Sequence, residues 1–403
     1  MDMRVIICGP QTLGNGSGML EQVRQPALSE TGDPLLLTPG PLTTSRSVKE
    51  AMIHDWGSRD ASFIEINRSV LSKLAALING GGEFVTVPMQ GSGTFAVEAM
   101  LTSLVAREGK VLVVINGAYG HRAKKICDVA GRDTAIYETP EDTPPDLAAI
   151  DALLKSDPAI THVFAVHCET TSGILNPISE LADLVRRHGK SLLIDAMSAF
   201  GAIPLDATQT PFDAVAASSN KCIEGVPGLA FVICRKTVLE KAKGNATTLV
   251  LDLHDQWSNL VKTGQYRFTP PIHVIAAFHQ ALAEFDAEGG VAGRGRRYAE
   301  NCKILIEGMR ALGFETLLAD HLQAPIIVTF RMPAEQKFVF QDFYDRLKER
   351  GYVIYPGKLT VAESFRIGCI GRLYPDHMRG ALDAIRAILD DMGIRGLKAS
   401  RAA

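Results

Sequence analysis

The sequence predicts an α/β fold, a mainly parallel sheet with helices on both faces, followed by a small C-terminal α+β unit. Three observations lead there. Short apolar runs (FVTVPM, KVLVVING, THVFAVHCE, SLLIDAM, FDAVAAS and LAFVICR) have the length and β-branched content of strands buried on both sides. Helical patterns such as FAVEAMLTSLVA and ISELADLVRRHG alternate with them, as crossovers between parallel strands require. After about residue 285 the order changes to helix RRYAENCKILIEGMRALG, strand APIIVTFRM, helix FQDFYDRLKERG, a short VIYPG, strand FRIGCIG and a last helix HMRGALDAIRAILDDM.

The expected organisation is an extension over residues 1–34, a large unit over 35–285 and a small one over 286–398. The extension opens on a short strand-like RVIICG and continues as Gly/Ser/Gln-rich text. Its Gly14, Gly16 and Gly18 lack the lysine and the following helix of a phosphate loop, so nucleotide binding is not expected there. At 403 residues the chain can enclose a dry cofactor site. A net charge of −3 without a long basic run gives no reason to expect nucleic acid or a membrane surface as partner. The seven cysteines are scattered, with no C-x-x-C pair, which indicates neither a disulfide framework nor a zinc site. No apolar run approaches the roughly 18 residues of a membrane span, and the apolar stretch in MDMRVIICGPQTLGNGSG is too short for the apolar region of a signal sequence, so a cytoplasmic chain with reduced thiols is expected.

In such sheets ligands gather at the carboxyl ends of the strands, where Ser92, Tyr119, Glu169 to Thr171, Asp195 and Lys221 all fall. Asp195 ends the apolar run SLLID, and Lys221 follows DAVAAS just before a Gly/Pro turn. A carboxylate and an amine at two such strand ends suit a cofactor that needs a covalent amine and a charged partner, and pyridoxal 5'-phosphate fits that description. Taken singly, each has a plainer reading: Asp195 as a paired core acid, Lys221 as a solvated loop residue.

The turn Gln90-Gly91-Ser92-Gly93-Thr94 runs straight into a helix, so Ser92, Gly93 and Thr94 can surround a phosphate at its positive end; a plain N-cap is the alternative. Tyr119 in NGAYGHR can lie over a pyridine face, or simply pack. Thr170 can hydrogen-bond the ring's phenolic oxygen. Asp195 can keep the ring nitrogen protonated, and Lys221 can bind the aldehyde carbon and then carry a proton. Arg366, between apolar neighbours in FRIGCIG, can hold the substrate's anionic group.

With these residues in order, the chain resembles the class V aminotransferases of pyridoxal-phosphate fold type I. The likeness spans about residues 35–395, through LLLTPGPLTTSRSVKEAM, DWGSRD, QGSGTFAVEAM, NGAYGHR, HCETTSG, IDAMSAFG, SSNKCIEGVPG, YRFTPP, IYPGKLT and FRIGCIG. It implies a seven-stranded, mainly parallel sheet in the large domain and a homodimer with shared active sites, in which Tyr266 and Thr269 of YRFTPP reach the neighbour's cofactor phosphate. It also implies 2-aminoethylphosphonate as amino donor and pyruvate as acceptor. A phosphonate dianion asks for more positive charge than a carboxylate, and Arg59 of DWGSRD is the candidate for the second cation. Three rivals stand beside this reading: a class V enzyme taking alanine or serine with glyoxylate, a desulfurase-like lyase, and a non-catalytic α/β protein. The lyase group carries histidines where this chain has Asn220 and Tyr119.

Overall fold

The computed structural model describes residues 26–359 and 362–397; the RVIICG run and the Gly14–Gly18 segment lie outside them. The central sheet is built from β1 (Phe84–Gly91), β2 (Lys110–Ile115), β3 (Asp133–Glu138), β4 (Ile160–Val166), β5 (Ser191–Asp195), β6 (Ala214–Ser218) and β7 (Gly228–Arg235). Its seven strands follow the order β1-β7-β6-β5-β4-β2-β3. Only β7 runs antiparallel to its neighbours.

The continuous apolar runs follow from burial on both faces. Along β2, Val111 and Val113 enter one core cluster while Leu112 and Val114 enter the other; in β7, Phe231 and Ile233 oppose Ala230 and Val232 in the same way. The edge strand β3 is the one the runs did not signal, because its residues are largely exposed or half-buried and it reads as polar text.

The helices flanking the sheet include α1 (Ala61–Ala76), α2 (Gly93–Leu104), α3 (Ala118–Val129), α4 (Leu147–Ser156), α5 (Ile178–Arg187) and α6 (Leu253–Thr263). Two longer ones follow, α7 (Ile272–Ala287) and α8 (Gly290–Ala311). The C-terminal part has an antiparallel sheet of β8 (Ile327–Arg331), β9 (Tyr355–Pro356) and β10 (Ser364–Gly368), with β10 in the middle, and helices α9 (Phe340–Glu349) and α10 (Pro375–Asp391).

That sheet rests on a knot of aromatic rings, Phe314, Phe330, Phe338, Phe343 and Phe365, with centroids 5.1–6.3 Å apart. Leu35 and Leu37 enter this same cluster, and Leu35–Leu36 pairs in parallel with Tyr352–Val353. A segment early in the chain is thereby stitched to the late sheet. No helix of the described residues is long and apolar enough to cross a membrane.

Candidate active site

β5 delivers Asp195 and the turn after β6 delivers Lys221, side by side because the two strands pair in parallel. The turn is closed on itself. Glu224 N donates to Lys221 O at 2.8 Å, Gly225 N to Ser219 O at 2.8 Å and Ser219 Oγ to Val226 O at 2.6 Å. Glu224 has φ 63°, a left-handed conformation that a glutamate adopts only when its surroundings hold it there.

Those surroundings are on α8. Arg297 Nη2 and the Tyr298 hydroxyl both donate to Glu224 Oε1, at 2.7 and 2.5 Å, while Arg294 Nη1 donates to Cys222 O at 2.6 Å. Both arginines also pair with Glu288, and Arg297 reaches Gly371 O and Leu373 O. One buried network therefore ties the lysine turn to the C-terminal part.

Loss of water around Nζ pulls the Lys221 ammonium down to about 8, helped by the positive charges of Arg366 and Lys358 and opposed by Cys222 and Asp195. Nζ donates to Pro39 O. Gly40, at φ 119°, leaves the room: a Cβ there would sit 2.7 Å from Nζ. Burial pushes the Asp195 carboxyl up to about 6, against the Met197 N–H that donates to Oδ1 at 2.9 Å and the charges of Arg122 and Lys221. The same burial drives the Cys222 thiol up to about 12.

A cavity of ≈ 180 Å³ joins these groups to the start of α2 and α3. Of the residues read from the sequence, Ser92, Gly93, Thr94, Tyr119, Asp195 and Lys221 line it. Arg122, Ser198, Ser218 and Asn220 line it too and carried no assigned role. Thr170 lies one step back, its Oγ1 3.0 Å from Ser198 Oγ.

Arg366 is buried behind Thr170, donating from Nη1 to Thr170 O at 2.9 Å and from Nε to Pro356 O at 3.2 Å. Among the described residues no carboxylate forms a salt bridge with it, although the charge of Glu169 is felt at a distance. Glu169, also at this strand end, is fully buried and accepts from Tyr119 N, Thr171 N and Thr171 Oγ1 at 3.2, 3.1 and 2.7 Å. Burial raises its carboxyl to about 7, and it fixes the entry of α3 beneath Tyr119.

Besides Thr170 and Arg366, three further expected residues do not line the cavity within one chain. Arg59 stands on an exposed turn. Thr269 is exposed, its carbonyl accepting from Gln90 Nε2 at 2.6 Å. Tyr266 is buried in a neighbouring cavity of ≈ 240 Å³ with Gln90, Phe95 and Phe268, and its hydroxyl has no partner.

The lining suits pyridoxal 5'-phosphate on three counts. Asp195 offers a buried carboxylate without a paired cation in contact. Ser218 Oγ is buried in the lining and unpartnered, and Ser92 at the N-cap of α2 makes no side-chain capping bond. A helix N-terminus faces the same space as the amine.

The model of the family "Aminotransferase class-V" matches residues 45–367. The chain is 54% identical over 361 residues to a 2-aminoethylphosphonate–pyruvate transaminase of Pseudomonas putida strain W619, spanning 90% of this chain and 98% of that protein. It is likewise 54% identical over 362 residues to the enzyme of that name from Cupriavidus taiwanensis, spanning 90% and 96%. Among solved structures, pyridoxamine–pyruvate aminotransferase from Mesorhizobium loti superposes with a TM-score of 0.82 at 25% identity, covering 91% of this chain and 95% of that one. The chain belongs to the class V aminotransferases, which work through pyridoxal 5'-phosphate.

Proposed function

We propose that this protein moves the amino group of 2-aminoethylphosphonate to pyruvate, giving phosphonoacetaldehyde and L-alanine. The observation that carries the substrate choice is the 54% identity to transaminases of that name across nearly their whole length. The reaction class rests on Lys221 and Asp195 sharing one cavity.

With pyridoxal 5'-phosphate bound, the site gains an aldehyde carbon and an electron-withdrawing ring through which an amino group can be passed from donor to acceptor. Lys221 would hold the aldehyde carbon and, once displaced by the donor's amine, take a proton from the carbon bearing that amine. An ammonium already brought down to about 8 gives up its proton readily enough for both tasks. Asp195 would keep a proton on the ring nitrogen. Tyr119 would cover one ring face, and Thr170, in contact with Ser198, would bind the phenolic oxygen. Ser92, Gly93 and Thr94 would hold the phosphate. Arg366, buried and in no salt bridge among the described residues, would take the phosphonate in one half-reaction and the pyruvate carboxylate in the other. Arg59 would add the second positive charge for the phosphonate.

A homodimer completes the picture. Thr269 is exposed and Phe95 and Phe268 are about half exposed, and a second copy would cover them and lend Tyr266 and Thr269 to the neighbour's phosphate. Residues 35–285 would form the cofactor-binding domain and 286–398 the smaller one, in a cytoplasmic enzyme. A coupled assay for phosphonoacetaldehyde and alanine tests the reaction. Turnover of serine with none of 2-aminoethylphosphonate would overturn the substrate choice.

A further inference from the structure

Arg122 sits at the phosphate end of the cavity, with no role in the account above. It is three residues beyond Tyr119 on α3, so both side chains leave the same face of the helix. Its Nη1 donates to Thr94 Oγ1 at 3.1 Å, and its guanidinium carbon lies 4.8 Å from the centre of the Tyr119 ring. It lines the cavity together with Ser92, Gly93 and Thr94. Among the described residues no carboxylate pairs with it.

The charge arithmetic gives this position a meaning. A helix N-terminus presents roughly half a positive charge, whereas a phosphate monoester carries between one and two negative charges at neutral pH. The turn Ser92–Thr94 contributes hydroxyls and amides but no cation. Arg122 supplies one, and its bond to Thr94 has a second effect. With a lone pair of Oγ1 occupied by the guanidinium, the threonine hydroxyl proton is left to point away from Arg122, as a donor.

We propose that Arg122 is a cofactor-phosphate residue: it places the missing positive charge at the cup and orients the Thr94 hydroxyl to donate. The proposal rests on the assignment of Ser92–Thr94 as the phosphate cup. Stacked on Tyr119, the guanidinium is also held in place from the ring side, which makes the anion site and the ring cover a single unit.

The test compares pyridoxal 5'-phosphate with pyridoxal, which has the ring and aldehyde but no phosphate. Full-length protein freed of cofactor is titrated with each, following the visible absorption of the lysine-bound form. Arg122→Ala should weaken pyridoxal 5'-phosphate by about 10- to 100-fold, the range for a charge-assisted contact, and leave pyridoxal unchanged. Arg122→Lys should recover part of the loss. Inorganic phosphate added with pyridoxal should tighten pyridoxal binding in the wild type and not in Arg122→Ala. Equal loss for both ligands would overturn the proposal in favour of a role confined to the Tyr119 ring. Loss for neither, with a raised KM for 2-aminoethylphosphonate, would overturn it in favour of substrate binding. Ser92→Ala separates this from the cup itself. Loss of phosphate preference there but not in Arg122→Ala overturns the arginine alone, and loss in neither variant overturns both.

Discussion

The two ends of the active-site cavity are built in opposite ways. At the lysine end one chain supplies everything: a closed turn, a glutamate in an unfavourable backbone conformation, and two buried arginines and a tyrosine that hold it. At the other end Ser92 is exposed, and in the region beyond it Thr269 is exposed, Phe95 and Phe268 remain about half in water, and the Tyr266 hydroxyl has no hydrogen-bond partner among the described residues. The lysine end is preorganised within the protomer, whereas under the proposed homodimer the other end would be completed by a neighbour. Position at the lysine end must be fixed to fractions of an ångström, and covalent continuity with a rigid sheet achieves that.

The largest expected effect comes from breaking the preorganised end outright. Lys221→Ala would remove both the proposed covalent amine and the proposed proton carrier, and alanine formation should fall by about 10⁴-fold or more. Borohydride reduction of the holoenzyme should tag position 221 in the wild type and leave the variant unlabelled there.

Next comes the brace. Glu224→Gln removes the carboxylate that Arg297 and Arg294 share, leaving buried guanidinium charge short of a partner. We expect a loss of about 3 kcal/mol in unfolding free energy, read from denaturant melts, the low end of what breaking a buried ion pair costs. A variant as stable as wild type would show that Glu288 alone suffices.

The pH dependence sharpens the comparison from the lysine side. The amine is neutral, and so nucleophilic, above about pH 8 rather than above its ordinary range near 10.5. The rate at which added pyridoxal 5'-phosphate becomes attached to cofactor-free enzyme should therefore climb as pH rises through about 8 and level off beyond it. A climb that continues past pH 10 would mean the ammonium is hydrated after all.

The smallest effect is expected at the exposed turn that carries Arg59. Arg59→Ala should raise KM for 2-aminoethylphosphonate by about two- to five-fold, as befits an exposed ion pair, and leave KM for pyruvate alone. Equal losses for donor and acceptor would remove Arg59 from a specific role in phosphonate binding.

Much of this arrangement was legible before the structure. Strands buried on both faces announce themselves as unbroken apolar text, and a charge such as Asp195 at the end of one stands out. Edge strand β3 did not, since half of it meets water. Nor did Arg122: its partner Thr94 comes from a different strand end, and nothing local to NGAYGHR distinguishes it from a solvated helix arginine. The unusual conformation of Glu224 is dictated by α8, some seventy residues away, and is invisible in SSNKCIEGVPG itself. Arg366 was visible as a buried cation, but the carbonyls it leans on were not.

Lys221 lines the cavity while its neighbour Cys222 is packed into the core behind it, and loss of hydration acts on the two nucleophiles with opposite result. An environment hostile to ions favours the uncharged form of each; for the amine this is the reactive form, for the sulfur the inert one. The same desolvation therefore readies the amine for a carbonyl electrophile and leaves the fully buried thiol in its unreactive form.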